Sequence, residues 1–321
     1  MVTAIPPEVL HVGSACRDVA PDDPRGWRLG GGVTYSALTT ARLGLRTAAV
    51  VGVDDTARDA DELTMLRQAG VDLLLVHLDE GPIYHNVETP AGRVQTCVQR
   101  GIPLPVPALP ESWLAARTGM VAPVADEVHD EWVAPIPDGT FIGVAWQGLL
   151  RNLDRGERVT RKAPVASALL RRADLVGISH HDVAPETPLH DLWELLRPGA
   201  VLAVTQGPEG GLLLTLGASG PIQTLRWRAT GTDREVDPTG AGDTFLSALL
   251  ATAAHPNIGG RQRTLLDLRV AAAAGSLVVE GWGLAGVPDR AQVITRLIRE
   301  RVRRIFGPAR AETVGSYADR R

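Results

Sequence analysis

The stretch Asp237-Pro238-Thr239-Gly240-Ala241-Gly242-Asp243, running straight into the apolar Thr244-Phe245-Leu246-Ser247-Ala248-Leu249-Leu250, decides how this chain is read. Gly240 and Gly242 permit a tight turn and a close backbone approach to a ligand, because no Cβ stands in the way. The apolar run predicts a helix beginning at that turn, and the first N–H groups of such a helix have no intrahelical acceptor. Together with the positive end of the helix dipole they favour an anion such as phosphate. A carboxylate in that mouth repels the anion the turn attracts, so Asp243 fits a base that takes a proton from a hydroxyl. The residues alone leave a second reading open, in which Asp243 complements the helix dipole and the glycines only make a turn.

Outward from this point, short runs rich in Val, Ile and Leu alternate with helical patterns. That alternation predicts an α/β fold, a doubly wound, mostly parallel sheet with helices on both faces. Strands are expected at residues 9–12, 47–53, 73–78, 120–123, 141–146, 175–178, 201–205 and 212–216, and helices at 33–43, 58–69, 165–172, 189–196, 240–254, 265–279 and 290–305. Residues 83–88 and 93–99 alternate with period two around Thr89-Pro90-Ala91-Gly92 and predict an antiparallel hairpin outside the main sheet. With residues 14–29 it would form a small β lid, and the proline-rich 102–110 reads as a rigid return from it. A single domain over 1–307 accounts for the pattern, and 308–321 reads as a flexible tail.

The bulk numbers bound the function. The 321 residues, 44% of them hydrophobic, suffice for one large α/β core. A net charge of −4 gives no overall electrostatic footprint for nucleic acid. No run approaches the roughly 18 to 20 apolar residues of a membrane span, and no basic flank precedes an apolar leader, so a cytoplasmic protein without membrane contact is expected. Cys16 and Cys97 are the only cysteines, too few for a disulfide framework.

The heptapeptide 237–243 resembles, almost letter for letter, the C-terminal signature of the ribokinase-type (PfkB) carbohydrate kinases, and the resemblance extends over residues 8–306. It implies a ribokinase-like fold, Asp243 as catalytic base, and an anion hole formed by the backbone of Gly240, Ala241, Gly242 and Asp243. Gly30-Gly31-Gly32 resembles the N-terminal signature, whose paired glycines let the backbone reach substrate hydroxyls; an ordinary loop-to-helix turn is the other reading. Asp18 stands where these kinases carry an Asp that binds sugar hydroxyls, and a carboxylate can accept two hydrogen bonds from a vicinal diol. A surface loop acid is the alternative there. Where the family often has Asn after the glycines, this chain has Tyr35 and Ser36, which makes Tyr35 a substrate-side candidate.

On the donor side, Ser179-His180-His181-Asp182 takes the place of an Asn-x-x-Glu box that organises magnesium and phosphate through water. Ser179 and Asp182 keep an oxygen and a carboxylate at that spacing, which suits Mg2+ that retains its waters. Thr205, Gly207 and Gly210 match the TxGxxG of a nucleotide-contacting strand, although a plain turn also explains them. Asp237 and Thr239 resemble a pair that helps bind a monovalent cation such as K+ in some relatives, while Thr239 equally suits a helix N-cap.

Three further segments, Tyr84-His85-Asn86 with Gly92-Arg93-Val94-Gln95, residues 123–128, and Gln147-Gly148-Leu149-Leu150-Arg151, resemble the myo-inositol kinase branch. They make Gln147 and Arg151 substrate-binding candidates, with Arg151 either steadying phosphate or an ordinary surface arginine. The implied activity is ATP-dependent phosphorylation of an alcohol on a small sugar or polyol, with myo-inositol the leading choice. A nucleoside kinase is the enzymatic alternative, and a non-catalytic sugar-binding or regulatory protein of the same fold is the other. The lid in this family often pairs between subunits, so a homodimer through 83–99 is expected.

Four other patterns lead elsewhere. Gly281-Trp282-Gly283-Leu284-Ala285-Gly286 matches GxGxxG, but it runs into Val287-Pro288 instead of opening a helix, so it reads as a loop beside the adenine. Lys162, the only lysine, follows Arg161 and not a glycine, which rules out a Walker loop and leaves phosphate to backbone, magnesium or arginine. Zinc at His180, His181 and Asp182 is disfavoured because adjacent side chains diverge. The arginines at 296, 299, 301, 303 and 304 read as a solvated helix face.

Overall fold

The computed structural model describes residues 5–89, 92–215, 223–253 and 261–306. Pro90 and Ala91 at the expected hairpin turn, the last residues of the expected elements at 212–216 and 240–254, and the tail 308–321 lie outside the described residues.

Seven parallel strands build most of one sheet: β1 (Val9–Ser14), β4 (Thr47–Val53), β5 (Val71–His77), β8 (Thr118–Val121), β9 (Phe141–Ala145), β12 (Leu175–Ser179) and β13 (Val201–Thr205). Two antiparallel strands, β14 (Gly211–Thr215) and β15 (Gln223–Trp227), extend one edge, giving the order β15-β14-β13-β12-β9-β8-β1-β4-β5. The chain adds β4 and β5 to one side of β1 and β8, β9, β12 and β13 to the other. Strand order therefore reverses between β1 and β8, and in open α/β sheets ligands bind beyond the carboxyl ends of the strands at such a switch point.

Alternation along the strands explains why both faces are covered. In β4, Ala49 and Val51 enter one apolar cluster and Ala48 and Val50 the other, since successive side chains point to opposite faces. The first cluster packs under α1 (Gly32–Arg42), α2 (Asp61–Gln68), α5 (Ala241–Ala253), α6 (Arg261–Val278) and α7 (Arg290–Phe306). The second packs under α3 (Ala168–Arg172), α4 (Leu189–Glu194) and the buried Trp113, Trp132 and Trp146. The small α3 begins later than expected because Ser167 caps it, its hydroxyl accepting the Leu170 N–H, while Pro164 precedes the cap.

The expected lid is a separate four-stranded sheet, in the order β3-β2-β6-β7, of β2 (Cys16–Val19), β3 (Trp27–Gly30), β6 (Ile83–Thr89) and β7 (Gly92–Gln99). Register pairs Tyr84 with Cys97 and Asn86 with Gln95, so these four side chains and Arg93 share one face. Three strands were not foreseen. Strand β15, with the sequence QTLRW, is a half-exposed edge strand without a continuous apolar run, and β10 (Arg151–Asn152) with β11 (Thr160–Arg161) is a two-residue ladder.

One buried acid holds the switch point together. Glu127, 2% exposed, accepts the Ser14 N–H at the end of β1 (2.9 Å) and the N–H groups of Val124 (3.0 Å) and Ala125 (2.7 Å) beyond β8. Burial pushes its carboxyl pKa up, and these backbone donors pull the other way. Glu127→Ala leaves three amides without their acceptor and is expected to cost about 3 kcal/mol or more. The measurement is the urea midpoint, with Glu127→Gln expected to fall between the mutant and the parent.

Candidate active site

Two helices begin at the switch point. After β1 the chain makes the lid strands β2 and β3 and enters α1 at Gly31, whose φ of +105° and crowding against the Ser14 carbonyl admit no side chain. From the C-terminal half, α5 begins behind Gly240, where the Thr244 N–H donates to the Gly240 carbonyl at 2.8 Å as the first helical bond. Of the preceding amides, that of Ala241 donates to the Pro238 carbonyl at 3.4 Å, and those of Gly242 and Asp243 have no carbonyl within the helix to receive them. A Cβ built on Gly32 would lie 2.9 Å from Asp243 Oδ1 and 3.2 Å from the Ala122 methyl beyond β8. The two glycine-rich turns, 208 residues apart by their positions 32 and 240, thus meet at the Asp243 carboxylate.

Asp243 is half-buried, and desolvation raises its pKa to about 6. Arg151 draws it down and Asp182 pushes it up, so both lie within electrostatic reach of it. Asp18 on β2 has the same value for a similar reason: burial raises its pKa to about 6, opposed first by Arg93 and by a hydrogen bond from Asn86. Asn86 Nδ2 donates to Asp18 Oδ1 at 2.9 Å, and Gln95 Nε2 donates to Asn86 Oδ1 at 2.7 Å, so the inner lid face orients that carboxylate. Gly30 leaves room for it, because a Cβ there would strike Asp18 Oδ2. Arg151 lies between the two acids electrostatically; its Nη1 donates to the Val124 carbonyl at 3.3 Å and its guanidinium sits 5.8 Å from the Tyr84 ring centroid.

Some candidates sit differently from what the sequence suggested. Tyr35, on the substrate side by sequence, is 2% exposed, and its ring lies against Gly240 where a Cβ would clash. With φ of +80° at Gly240, that packing fixes the turn ahead of α5 from below. Gln147 reaches the turn after β12, Nε2 donating to Asp182 Oδ1 at 2.9 Å. Asp182 closes its own turn by accepting the Ser179 N–H at 2.7 Å, while Ser179 Oγ accepts the His181 N–H at 3.2 Å.

Thr205 ends β13, and Gly207 and Gly210 form the tight hairpin into β14, Gly210 passing against the Trp227 carbonyl of β15. The His180 and His181 rings, expected to diverge, lie 3.7 Å apart between centroids with their planes tilted by 39°, and His180 contacts the Thr205 carbonyl at 3.1 Å. Among the described residues no group of three His, Cys, Asp or Glu is placed to hold a metal directly. Asp182 remains suited to a magnesium ion that keeps its waters and a phosphate.

Asp237 is a staple. Its Oδ1 accepts the Thr239 N–H at 2.9 Å and its Oδ2 accepts the Gly283 N–H at 3.1 Å, tying the glycine turn ahead of α5 to the loop after α6. The Gly281–Gly286 segment is accordingly a loop with a short 3-10 turn and opens no helix. Sequence reading gave no role to Glu127 or Arg93; Arg93 carried only a resemblance, and its period-two position with Gln95 was the available signal.

The pfkB family carbohydrate kinase model matches residues 157–289. No curated protein matches the chain in sequence. Among solved structures, a pyrophosphate-dependent kinase of the ribokinase family, complexed with a pyrophosphate analogue and myo-inositol, is 16% identical with TM-score 0.63, covering 89% of this chain and 99% of that one. Arabidopsis thaliana ribokinase, complexed with ribose and ATP, is 18% identical with TM-score 0.65, covering 91% and 99%. The Methanocaldococcus jannaschii nucleoside kinase is 14% identical with TM-score 0.64, covering 92% and 100%. These likenesses show a shared ribokinase-like fold. No described helix is long and apolar enough to cross a membrane.

Because burial raises the pKa of both Asp243 and Asp18 to about 6, and Asp243 can take a proton only when ionised while protonation of Asp18 halves the acceptor face it offers to hydroxyls, kcat/KM for any turnover at this site is expected to fall below about pH 6. A pH profile between 4.5 and 8.5 checks this. Loss of both charges makes the acid limb steeper than a single ionisation, and a flat profile would contradict the assignment.

Proposed function

We propose that this chain, whose residues 157–289 match the pfkB family carbohydrate kinase model within a ribokinase-like fold, is a carbohydrate kinase that transfers the terminal phosphoryl group of ATP to an alcohol of a small sugar or polyol. One observation supports this reading: Asp243, in the first turn of α5, meets the glycine turn of α1, its Oδ1 2.9 Å from where a Cβ on Gly32 would lie. The catalytic unit is read as one domain over 1–307, since each half supplies one of the two turns.

In this mechanism Asp18, held by Asn86, accepts hydrogen bonds from substrate hydroxyls and turns one toward Asp243. Asp243 takes its proton as the oxygen attacks the terminal phosphorus, and ADP leaves with the bridging oxygen. The amides of Gly240 to Asp243 meet the charge that spreads over the transferring group. Arg151, within reach of Asp243, favours its ionised form and adds positive charge on the acceptor side. Mg2+ would be held through water by Asp182, with Ser179 and Gln147 fixing that carboxylate, and would neutralise donor phosphates. The hairpin at Thr205, Gly207 and Gly210 would carry the nucleotide.

For the acceptor we favour myo-inositol. The chain Asp18, Asn86, Gln95 suits adjacent hydroxyls, and one fold neighbour was solved with myo-inositol. A panel of polyols, sugars and nucleosides, each with ATP and with pyrophosphate, tests donor and acceptor together. Turnover with a polyol supports the reading, and no turnover with any pair would refute it.

Asp243→Asn separates the catalytic role from the helix-dipole role. It is expected to lower kcat by about a hundredfold to ten-thousandfold while ATP still binds. Its effect on stability has a defined sign. A folded pKa of about 6 lies above the reference value of 3.8, so the ionised carboxyl costs stability above pH 6, and the cost fades as pH falls from 6 toward 3.8. The mutant should therefore melt higher than the parent at pH 8, with the gap closing at lower pH; a lower melting temperature at pH 8 would favour the dipole role.

We also propose that two copies pair through the lid. Val87 and Val98, 44% and 38% exposed, lie on its outer face, opposite Tyr84 and Cys97. Sedimentation should give twice the chain mass, and Val87→Asp should halve it; a monomeric parent would count against pairing.

A further inference from the structure

Arg93 belongs to the lid, yet it reaches the anion turn. From β7 its Nη2 donates to Thr239 Oγ1 at 3.2 Å and lies 3.9 Å from Asp237 Oδ1. On its other side it is within electrostatic reach of Asp18. The lid's opposite edge strand, β3, makes a second tether, with the Arg28 guanidinium 5.2 Å over the Trp282 ring of the loop that Asp237 staples. Both edges of the lid thus grip the half of the molecule that carries the anion turn.

The electrostatics give that grip a purpose. Asp237 shapes the turn through the amides of Thr239 and Gly283, but its negative charge stands beside a site meant to attract a polyphosphate. A cation must offset it. In the sequence Asp237 and Thr239 suggested a dissolved monovalent cation; in the structure a guanidinium approaches both of them, and it is fixed to the element that closes over the acceptor.

We propose that Arg93 is a positioning residue that supplies, from the lid, the positive charge beside Asp237 and Thr239, so that the anion turn accepts its polyphosphate donor without a monovalent cation. Donor binding and lid closure are then coupled, because the charge arrives only when the lid is seated. The inference rests on the kinase reading above for the identity of the donor, while the charge balance itself is a property of the turn.

The test uses the full chain with Arg93→Ala and Arg93→Lys, in buffers whose only monovalent cation is tetramethylammonium, K+ or guanidinium. Two readouts are taken: KM against kcat for ATP, and calorimetric binding of inorganic tripolyphosphate. The parent should change by no more than about twofold among the three buffers. Arg93→Ala should lose about tenfold in donor KM and in tripolyphosphate affinity, with polyol KM little changed, and K+ or guanidinium should restore much of it.

Arg93→Lys should keep most of the affinity, since it preserves the charge. Strong activation of the parent by K+ would overturn the proposal. So would unimpaired tripolyphosphate binding by Arg93→Ala, or a loss that no cation restores, which would mark Arg93 as a purely structural tether. If the parent lacked turnover, the kinase reading would fail, and the tripolyphosphate arm would still judge Arg93.

Discussion

The contact on which this structure turns is the approach of the Asp243 carboxylate to Gly32, across the gap where strand order reverses between β1 and β8. It requires two helices to begin at the same place from distant parts of the chain, and both to begin without side chains in the way. Gly31 and Gly32 allow this for α1, and Gly240 allows it for α5. The inward face of α1 then does more than pack. Tyr35 lies under Gly240, and Thr39 comes within 3.5 Å of Thr244, so one helix sets the height of the other. A larger residue at Gly32 would push the acid away from the cleft, and a larger residue at Gly240 would displace the turn from Tyr35.

Such an arrangement concentrates acids. Asp18, Asp237, Asp243 and Asp182 converge on one end of the sheet, with the buried Glu127 beneath them, and burial raises the pKa of Asp18, Glu127 and Asp243. Left uncompensated, those charges would oppose both folding and anion binding. The compensation comes from three sources. Backbone amides serve Glu127 and Asp237, the Asn86 amide serves Asp18, and arginines from separate elements, Arg151 and Arg93, sit among the rest. The single lysine is not among them; Lys162 pairs with Asp126 at 2.8 Å.

Much of this was legible in the sequence, for physical reasons. β1, β4 and β8 are buried along their whole length, so they read as continuous apolar runs, and the lid hairpin is covered on one face, so it reads with period two. The tight turn ahead of α5 was legible because Gly240 and Gly242 run straight into an apolar segment of helical length, and Gly240 takes a φ of +80° there. What stayed hidden depends on contacts between residues far apart in the chain. Nothing local in 123–128 says that Glu127 will reach the Ser14 amide 113 residues away. Gln147 was placed with the acceptor by the resemblance of residues 147–151 to the myo-inositol kinase branch, and the short 3-10 turn at 146–149 brings its amide to Asp182, a contact that resemblance does not carry. Tyr35 followed the glycines as a polar candidate, but a helix buried along most of its length turns that ring inward. Strand β15 lacked an apolar run because it pairs at an edge.

The most direct test of the central claim is a crystal structure with a non-hydrolysable ATP analogue, magnesium and a polyol bound together. The account predicts the terminal phosphorus on the amides of residues 240–243, with one substrate hydroxyl between it and Asp243, and a second hydroxyl pair on Asp18. A terminal phosphate bound away from that turn, or an Asp243 carboxylate facing away from the hydroxyl, would contradict it.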